Sequence, residues 1–290
     1  MKNSEVVDRI LEYHPKLIRY KGCDTYKCGN PEDECKGVAV ALVPTADVIK
    51  RAHEAGCNLL IAHEPTFYTS PDFAGWQSDF DNKVVDEKQK LIKEYGITIW
   101  RDHDHMHANM PDSIFSGVIR ELGWEKYYID PKSDDTPCCF KFEMPETKIG
   151  DIARHLKETL HLNGMKYIGN LEKKVTKVAI VGHLNPGFGP REYTDDKGFY
   201  HDYAIELMKA METEGIQLII PGEIIEWTIL SYIRDANAMG GNLACLNIGH
   251  FNLEELGMKD FTGVVRGLLD DVPNPPQVVY IPTEDGFDYL

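Results

Sequence analysis

The chain has 290 residues and a mass of 32.9 kDa, which is enough for one large domain or two smaller ones. Its hydrophobic content of 42% and charged content of 27% are typical of a globular enzyme. The net charge of −16 argues against a broad surface for nucleic acid or an anionic membrane, because lysine and arginine bind phosphate groups. A small anionic substrate is still compatible with this charge, since metal ions supply local positive charge.

The N-terminal segment and the cysteines predict a cytoplasmic protein. Met1 to Glu5 leads into a charged, amphipathic segment rather than the apolar core of a signal peptide. No apolar run approaches the roughly 20 residues that a membrane-spanning helix needs. The seven cysteines are an odd number, which fits a reducing compartment better than a disulfide framework. Cys23, Cys28 and Cys35 lack the paired spacing of a zinc ribbon, so we expect thiols there.

The first part of the chain alternates helical and strand patterns. A β-α-β unit of about 25 residues favours parallel strands, and open α/β sheets bind ligands beyond the carboxyl ends of such strands. His63 and Glu64 follow the second strand, at such a position. The predicted elements are a helix over 6–17, a strand over 38–43, a helix from about 45 to 55 with Thr45 or Asp47 as its cap, and a strand over 58–62.

A cluster of histidines follows the third predicted strand. Residues 66–82 predict an aromatic loop over the site, 84–95 a helix ended by Gly96, and 97–100 the strand. The strand leads into Asp102-His103-Asp104-His105-Met106-His107. In an extended segment alternate side chains share a face, so we expect His103, His105 and His107 on one side. A solvated histidine-rich loop is the alternative interpretation.

The remainder of the chain predicts a connecting or edge subdomain over 125–174 and a second αβ lobe over 175–290, after a first lobe over 1–124. The loop 186–190 has a Gly-x-Gly pattern but lacks the other glycine and the lysine of a phosphate loop, which argues against that mode of nucleotide binding. After the short helix 113–122, the predicted strands are 140–145, 165–169, 177–182, 217–221, 243–248 and 278–281. The predicted helices are 149–162, 201–213, 226–239 and a last one with Glu254 at its head that ends at Leu269.

The segment Gly249-His250-Phe251-Asn252-Leu253-Glu254 repeats the pattern of a strand that ends in a histidine. An imidazole at a strand end and a carboxylate on the next helical turn can converge on one cation. Three such strand ends predict one site assembled by the fold. The alternatives are hydrogen-bonded structural histidines and, for Glu254, a capping carboxylate. The candidate metal ligands are His63, Glu64, His103, His107, His250 and Glu254.

This mixed donor set suits zinc, iron, manganese or nickel. It exceeds what one tetrahedral ion uses. We therefore expect two divalent ions per chain, bridged by a carboxylate.

These motifs resemble the GTP cyclohydrolase 1 type 2 family, also called the Nif-three-like family. That family has His-His-Pro after an apolar strand, a strand after Tyr-Gly-Ile that ends in His-x-x-x-Asp, and a C-terminal Gly-His-x-x-Ser/Thr-Glu. The matching segments here are His63-Glu64-Pro65, Tyr95-Gly96-Ile97 leading to His103, and the segment from Gly249 to Glu254. The likeness covers most of the chain.

Two positions depart from the family pattern. Glu64 stands in place of the second histidine, and in the ungapped register His107 stands in place of the aspartate. The two exchanges preserve the number and approximate charge of the ligands, which favours this register. With one inserted residue, His107 and Asp112 match the motif instead, so whether His107, Asp104 or Asp112 fills the aspartate position stays open.

The resemblance implies an α/β fold of Nif-three-like type with two αβ lobes facing a central metal-site cleft. It also implies a homo-oligomer, commonly a ring-shaped hexamer whose sites face the interior. The activity it implies is not settled between hydrolysis of the GTP ring and a regulatory or metal-handling role.

The sequence therefore supports two hypotheses of function. The first is a dinuclear metal-dependent hydrolase of a small substrate, such as a nucleotide or a cyclic amide. Its ions would lower the pKa of water to roughly 7, and Glu223 or Asp104 would be the general base. The alternative is a non-catalytic metal-binding regulatory or assembly protein. A hydrolase requires an open coordination position beside a pocket, whereas a sequestering protein encloses its ions.

Overall fold

The computed structural model describes residues 1–70, 72–73, 75, 80–129, 139–184 and 192–290. The chain forms two compact units, Met1–Val118 with Glu255–Asp285 and Ile119–Glu254 with Gly286–Leu290. Each unit combines a β-sheet with helices, which confirms the predicted α/β class. Among the residues described, no helix has both the length and the apolar character needed to cross a membrane.

The elements alternate along most of the chain. The strands are β1 Tyr26–Cys28, β2 Gly37–Ala41, β3 Leu59–Ala62, β4 Thr98–Arg101, β5 Tyr128–Ile129, β6 Cys139–Lys148, β7 Lys166–Ile168, β8 Lys174–Leu184, β9 Tyr193–Thr194, β10 Tyr200–His201, β11 Leu218–Ile224, β12 Ala244–Asn247 and β13 Gln277–Tyr280. The α-helices are α1 Asn3–Tyr13, α2 Ala46–Glu54, α3 Lys83–Tyr95, α4 Asp104–Ala108, α5 Ser113–Glu121, α6 Ile149–Thr159, α7 Tyr203–Lys209, α8 Ile229–Ala238 and α9 His250–Leu268.

The first unit contains a five-stranded sheet in the order β1-β4-β3-β2-β13. Strands β13, β2, β3 and β4 are parallel, and β1 is antiparallel to β4. Every residue of β2 and β3 is buried, as expected for parallel strands covered on both faces. The predicted parallel β2-α2-β3 unit is confirmed, and it places His63 at the carboxyl end of β3.

Local sequence signals set the ends of several helices in this unit. The Thr45 hydroxyl accepts a hydrogen bond from the Val48 backbone N–H at 3.1 Å and caps α2, one of the two predicted caps. Gly96, with φ of 62°, ends α3 as predicted. Helix α1 ends at Tyr13, four residues before the predicted Leu17. The reason is that His14 precedes Pro15, whose ring disfavours helical backbone at the preceding residue.

The second unit contains a six-stranded sheet in the order β5-β6-β8-β11-β12-β7. Strands β8, β11 and β12 are parallel, whereas β6 and β7 run antiparallel to their neighbours. The apolar side chains of β8, β11 and β12 pack with α7 and α8 in a buried cluster that includes Ala179, Ile219, Leu207, Ile233 and Cys245. This core holds the carboxyl ends of β11 and β12, where Glu223 lies near the end of β11 and His250 follows β12.

The compact units and the lobes expected from the sequence have different limits. Strand β13, expected in the C-terminal lobe, pairs with β2 in the first unit, with Val278 opposite Val38. Strand β6, expected in a connecting subdomain, pairs along β8 from Cys139 opposite Val181 to Lys148 opposite Lys174. Both differences come from hydrogen bonds between strands distant in sequence. The division into lobes at residues 124 and 174 stays a prediction about domain organisation.

Candidate metal centre

His63 lies directly after β3 and its side chain is fully buried. Its backbone N–H donates to the Leu42 carbonyl at 3.1 Å, so the strand pairing continues into the site. Its Nδ1 lies 3.0 Å from the Asp102 carbonyl oxygen. A carbonyl only accepts hydrogen bonds, so Nδ1 carries the proton and the lone pair of the neutral ring is on Nε2.

The histidine-rich segment is a helical turn. The Asp24 carboxylate accepts hydrogen bonds from the backbone N–H groups of His103 at 2.8 Å, Asp104 at 3.0 Å and His105 at 2.9 Å. These are the donors that a helix leaves unsatisfied at its start, so Asp24 stabilises the first turn of α4. Burial raises the pKa of Asp24, but the hydrogen bonds from His105 and its neighbours outweigh burial and lower it.

The expectation that His103, His105 and His107 share one face of an extended segment is wrong. Helical residues four apart share a face, so His103 and His107 lie together. The intervening His105 lies elsewhere, with its Nδ1 2.7 Å from the Asp24 carboxylate. The helix therefore aligns the two histidines of this segment that are candidate metal ligands.

His63, His103 and His107 form a compact cluster of imidazoles. Their ring centroids are 4.5 Å apart for His63 and His103, 5.0 Å for His63 and His107, and 4.8 Å for His103 and His107. One ring nitrogen of each lies within 4.8 Å of those of the other two. The Nδ1 of His103 contacts Asp104 Oδ1 at 2.9 Å, and the Nδ1 of His107 contacts Asp112 Oδ2 at 2.8 Å. In all three rings an oxygen acceptor therefore orients Nδ1.

This donor set fits a divalent transition-metal ion. Histidine ligands of metals typically bind through one ring nitrogen while the other donates to a carboxylate or a backbone carbonyl. The three rings of the cluster have this arrangement, with Asp104, Asp112 and the Asp102 carbonyl as the acceptors. Three neutral imidazoles suit zinc, iron or nickel better than magnesium or calcium, which prefer oxygen ligands.

Glu64 is a further candidate ligand in the first unit. One of its carboxylate oxygens lies within 4.8 Å of a ring nitrogen of His63. Its Oε2 also lies 3.7 Å from the buried Arg101 guanidinium. Arg101 Nε donates to the His63 carbonyl at 2.9 Å, so one arginine positions both residues of the His63-Glu64 pair.

Asp104, predicted as a general base, is held by several donors. Besides His103, its carboxylate accepts hydrogen bonds from the Tyr20 hydroxyl at 2.7 Å and the Cys23 backbone N–H at 3.3 Å. The hydrogen bond from His103 outweighs partial burial and holds the pKa of Asp104 well below its usual range. A carboxylate of such low pKa is a weak base. This arrangement supports orientation of His103, and the role of Asp104 as a base stays a prediction.

The second unit contains the predicted C-terminal pair. Strand β12 leads through Gly249, with φ of 86°, to His250 at the start of α9. His250 Nε2 lies 3.0 Å from Glu254 Oε2, and the Glu254 side chain is 1% exposed. Glu223, the other predicted base, lies on β11 with its side chain exposed. That these residues meet the histidines of the first unit around shared ions stays a prediction.

The sequence matches a protein family over much of its length. Residues 1–183 match the family model described as Duf34/NIF3 (NGG1p interacting factor 3). The chain belongs to the Duf34/NIF3 family. This confirms the resemblance inferred from the motifs. The matched Duf34/NIF3 region contains His63, Glu64, His103 and His107, whereas His250 and Glu254 lie after it.

Curated relatives and solved structures are consistent with this Duf34/NIF3 membership. A GTP cyclohydrolase 1 type 2 homolog from Clostridium perfringens is 26% identical over 261 residues, 88% of this chain and 87% of that protein. A protein of the same name from Clostridium acetobutylicum is 24% identical over 238 residues, 78% of this chain and 75% of that protein. The crystal structure of Staphylococcus aureus protein SA1388 has the same fold, with a TM-score of 0.71 at 18% identity and coverage of 100% of this chain and 99% of that one.

Three residues that support the site in this Duf34/NIF3 chain were missed by sequence reasoning: Asp24, Arg101 and His14. His14 Nε2 donates to Asp102 at 3.0 Å, and both side chains are fully buried. Burial raises the pKa of Asp102, and the bond from His14 opposes that rise. His14 and Asp102 are 88 positions apart, so no local pattern connects them. Asp24 lies in the cysteine-containing loop, and no motif in the sequence around it marks it as a residue of the site.

Proposed function

We propose that this Duf34/NIF3 protein binds divalent transition-metal ions at His63, His103 and His107 and is a metal-dependent hydrolase of a small substrate. One observation supports the metal site above all others. Three imidazoles lie in mutual contact, each with its Nδ1 held by an oxygen acceptor. Such rings are pre-oriented ligands, because their tautomer and direction are set before an ion binds.

The proposal extends to two ions per chain, with Glu64, His250 and Glu254 as the further ligands. Glu64 lies beside His63, and His250 contacts Glu254 in the i, i+4 arrangement that the motif predicts. These residues would hold a second ion, which would help to orient a substrate. Metal content per chain, measured on the purified protein, tests this stoichiometry.

A divalent ion at such a site acts as a Lewis acid and makes water acidic near neutral pH. The residues of the chain then have defined tasks. His63, His103 and His107 would each offer Nε2 to the ion, since the Nδ1 of each ring faces an oxygen acceptor. Arg101 holds Glu64 close to His63. Glu223, whose side chain is exposed, is the candidate for accepting a proton from the attacking water.

One observation favours the alternative of a non-catalytic metal-binding protein. The Asp104 carboxylate has a lowered pKa and accepts hydrogen bonds from His103, Tyr20 and Cys23. The carboxylate nearest to the cluster in sequence is therefore better suited to holding a ligand than to accepting a proton.

Metal analysis and a substrate screen test both functions. We expect the purified protein to contain zinc, iron, manganese or nickel, and to melt at a higher temperature with the ion than after chelation. His103→Ala and His107→Ala should lose this difference. His53→Ala, whose exposed ring stacks on Tyr95, should keep it. Absence of any bound ion, with no rise in Tm on adding the four metals, would contradict the metal site itself.

Nucleotide and cyclic-amide substrates, tested with and without chelator, distinguish the two functions. A hydrolase loses activity on chelation and in Glu223→Gln. A non-catalytic protein binds metal without turnover in every assay.

We also propose a homo-oligomer, a hexameric ring by family resemblance. Light scattering of the eluted particle should then give six times the chain mass of 32.9 kDa.

A further inference from the structure

A crevice of about 380 Å³, open to solvent, lies in the first unit between β1 and α3. Its apolar lining includes the side chains of Cys28, Phe67, Ile92 and Ile97, three of which are almost completely buried. Its polar lining includes Lys27 and the amides of Asn30 and Gln89. An apolar lining with a few polar groups is typical of small-molecule sites.

A β-bulge determines where the Lys27 side chain lies. Tyr26 pairs with Trp100 and Cys28 with Ile99, so Lys27 is an extra residue on β1 opposite consecutive residues of β4. Bulges redirect side chains relative to the regular alternation of a strand. Here Lys27 lines the crevice together with its neighbour Cys28.

Lys27 is a buried ammonium that lacks close acceptors. Its side chain is 4% exposed, and its Nζ lies 3.8 Å from Asp72 Oδ2, beyond hydrogen-bonding distance. No hydrogen bond from this ammonium to any described residue is present, although an ammonium has three donors. A buried charge without hydrogen bonds is costly, so an acceptor supplied from the crevice would stabilise it.

The surroundings of Asp72 carry an excess of positive charge in the described part of the chain. Arg101 Nη1 lies 4.0 Å from Asp72 Oδ2, and Lys88 is buried nearby with its Nζ donating to the Thr66 carbonyl at 2.6 Å. Burial lowers the pKa of Lys88 to about 8, and the charge of Asp72 opposes this shift. Lys27, Lys88 and Arg101 thus surround Asp72, and Glu64, 3.7 Å from Arg101, is a second carboxylate beside them. Three cations then share two carboxylates, and a further anion would balance the remaining positive charge.

We infer that this crevice binds a small organic monoanion, with its acidic group at Lys27 and an apolar or aromatic body against Phe67, Ile92 and Ile97. The amides of Asn30 and Gln89 suit hydrogen bonds to the acidic group or to polar substituents. Asp33 also lines the crevice and disfavours ligands of higher negative charge. The site shares no residue with the proposed metal ligands and goes beyond the proposed function.

Calorimetric titration of the full-length protein with benzoate, with methyl phenyl phosphate, which is also a monoanion at neutral pH, and with the neutral analogue benzyl alcohol tests the inference. At least one of the two anions should bind with a Kd below about 1 mM, and benzyl alcohol should bind at least about tenfold more weakly. Whichever anion binds more tightly identifies the acidic group as carboxylate or phosphate. Titrations before and after chelation should give the same Kd, because the crevice shares no residue with the proposed metal ligands.

Two variants and a matched control locate the binding. Lys27→Met removes the ammonium but keeps the apolar stem, and Gln89→Trp fills the crevice from α3 without altering Lys27. Each should weaken binding of the anion at least about tenfold. Lys90→Met removes an exposed lysine of the same helix, which pairs with Glu87 at 2.5 Å, and should leave binding unchanged. No saturable binding of either anion up to about 10 mM, or unchanged binding in a folded Gln89→Trp variant, would overturn the inference.

Discussion

The carboxylate of Asp24 accepts a hydrogen bond from the His103 backbone N–H at 2.8 Å across 79 positions of sequence. With the N–H groups of Asp104 and His105 it binds the start of α4. This contact turns the chain after β4 into a helix. It thereby aligns His103 with His107 beside His63. A residue that is not a proposed ligand thus decides which histidines form the cluster.

Removal of the Asp24 carboxylate should weaken both the fold and the metal site. Asp24→Ala leaves several donors without an acceptor, so we expect a loss of about 2 kcal/mol or more in the free energy of unfolding. Metal affinity should fall in parallel, because α4 loses its anchor. Urea unfolding and metal titration measure the two effects. Asp47→Ala, which removes only an exposed pair with Arg51, should cost less than about 1 kcal/mol and leave metal binding intact.

Substitution of single histidines distinguishes a helical from an extended segment. His103→Ala should abolish the rise in Tm that metal produces, because it removes a ring of the cluster. His105→Ala should lower the stability of the metal-free protein through loss of its contact with Asp24 at 2.7 Å, yet retain the response to metal. Thermal unfolding with and without added zinc measures both. An equal loss of the metal response in the two variants would show that all three histidines of the segment face one site.

Gly22 should be needed for orientation of His103. A Cβ added at this position would lie 2.0 Å from Asp104 Oδ2, the carboxylate that holds His103 Nδ1. Gly22→Ala must therefore displace Asp104 or the loop, and we expect metal affinity to fall about tenfold or more. Gly263→Ala is the control, since a Cβ there meets nothing within 4 Å and the residue lies in α9. It should leave affinity unchanged and raise stability by up to about 1 kcal/mol.

Lys88 should make stability depend on pH in the alkaline range. Its pKa is lowered by burial from 10.5 to about 8, so between these values the unfolded chain binds more protons than the folded one. The free energy of unfolding therefore rises as the pH increases from about 8 to 10.5, by at most about 3 kcal/mol from this group. Lys88→Met should show less of this rise. Urea unfolding of both proteins at several pH values measures the difference. If the free energy of unfolding depended on pH in the same way in both proteins, the pKa of Lys88 in the folded chain would not be lowered.

Much of the local structure and part of the site followed from the sequence by itself. Apolar runs and helical spacing located β2, α2, β3 and α3, because backbone period and side-chain burial are coupled over a few residues. Thr45 and Gly96 marked helix ends through capping chemistry that is also local. The pairing of His250 with Glu254 followed from i, i+4 spacing in a helix.

Only the tertiary structure decided the arrangement of the cluster and its supports. The Asp24 carboxylate binds the start of the helix Asp104–Ala108, which separates His105 from His103 and His107. His14 met Asp102, and β13 paired with β2, across long intervals of chain. Such contacts depend on which buried polar groups find partners when the core packs. That is a property of the whole fold, and no short window of sequence contains it.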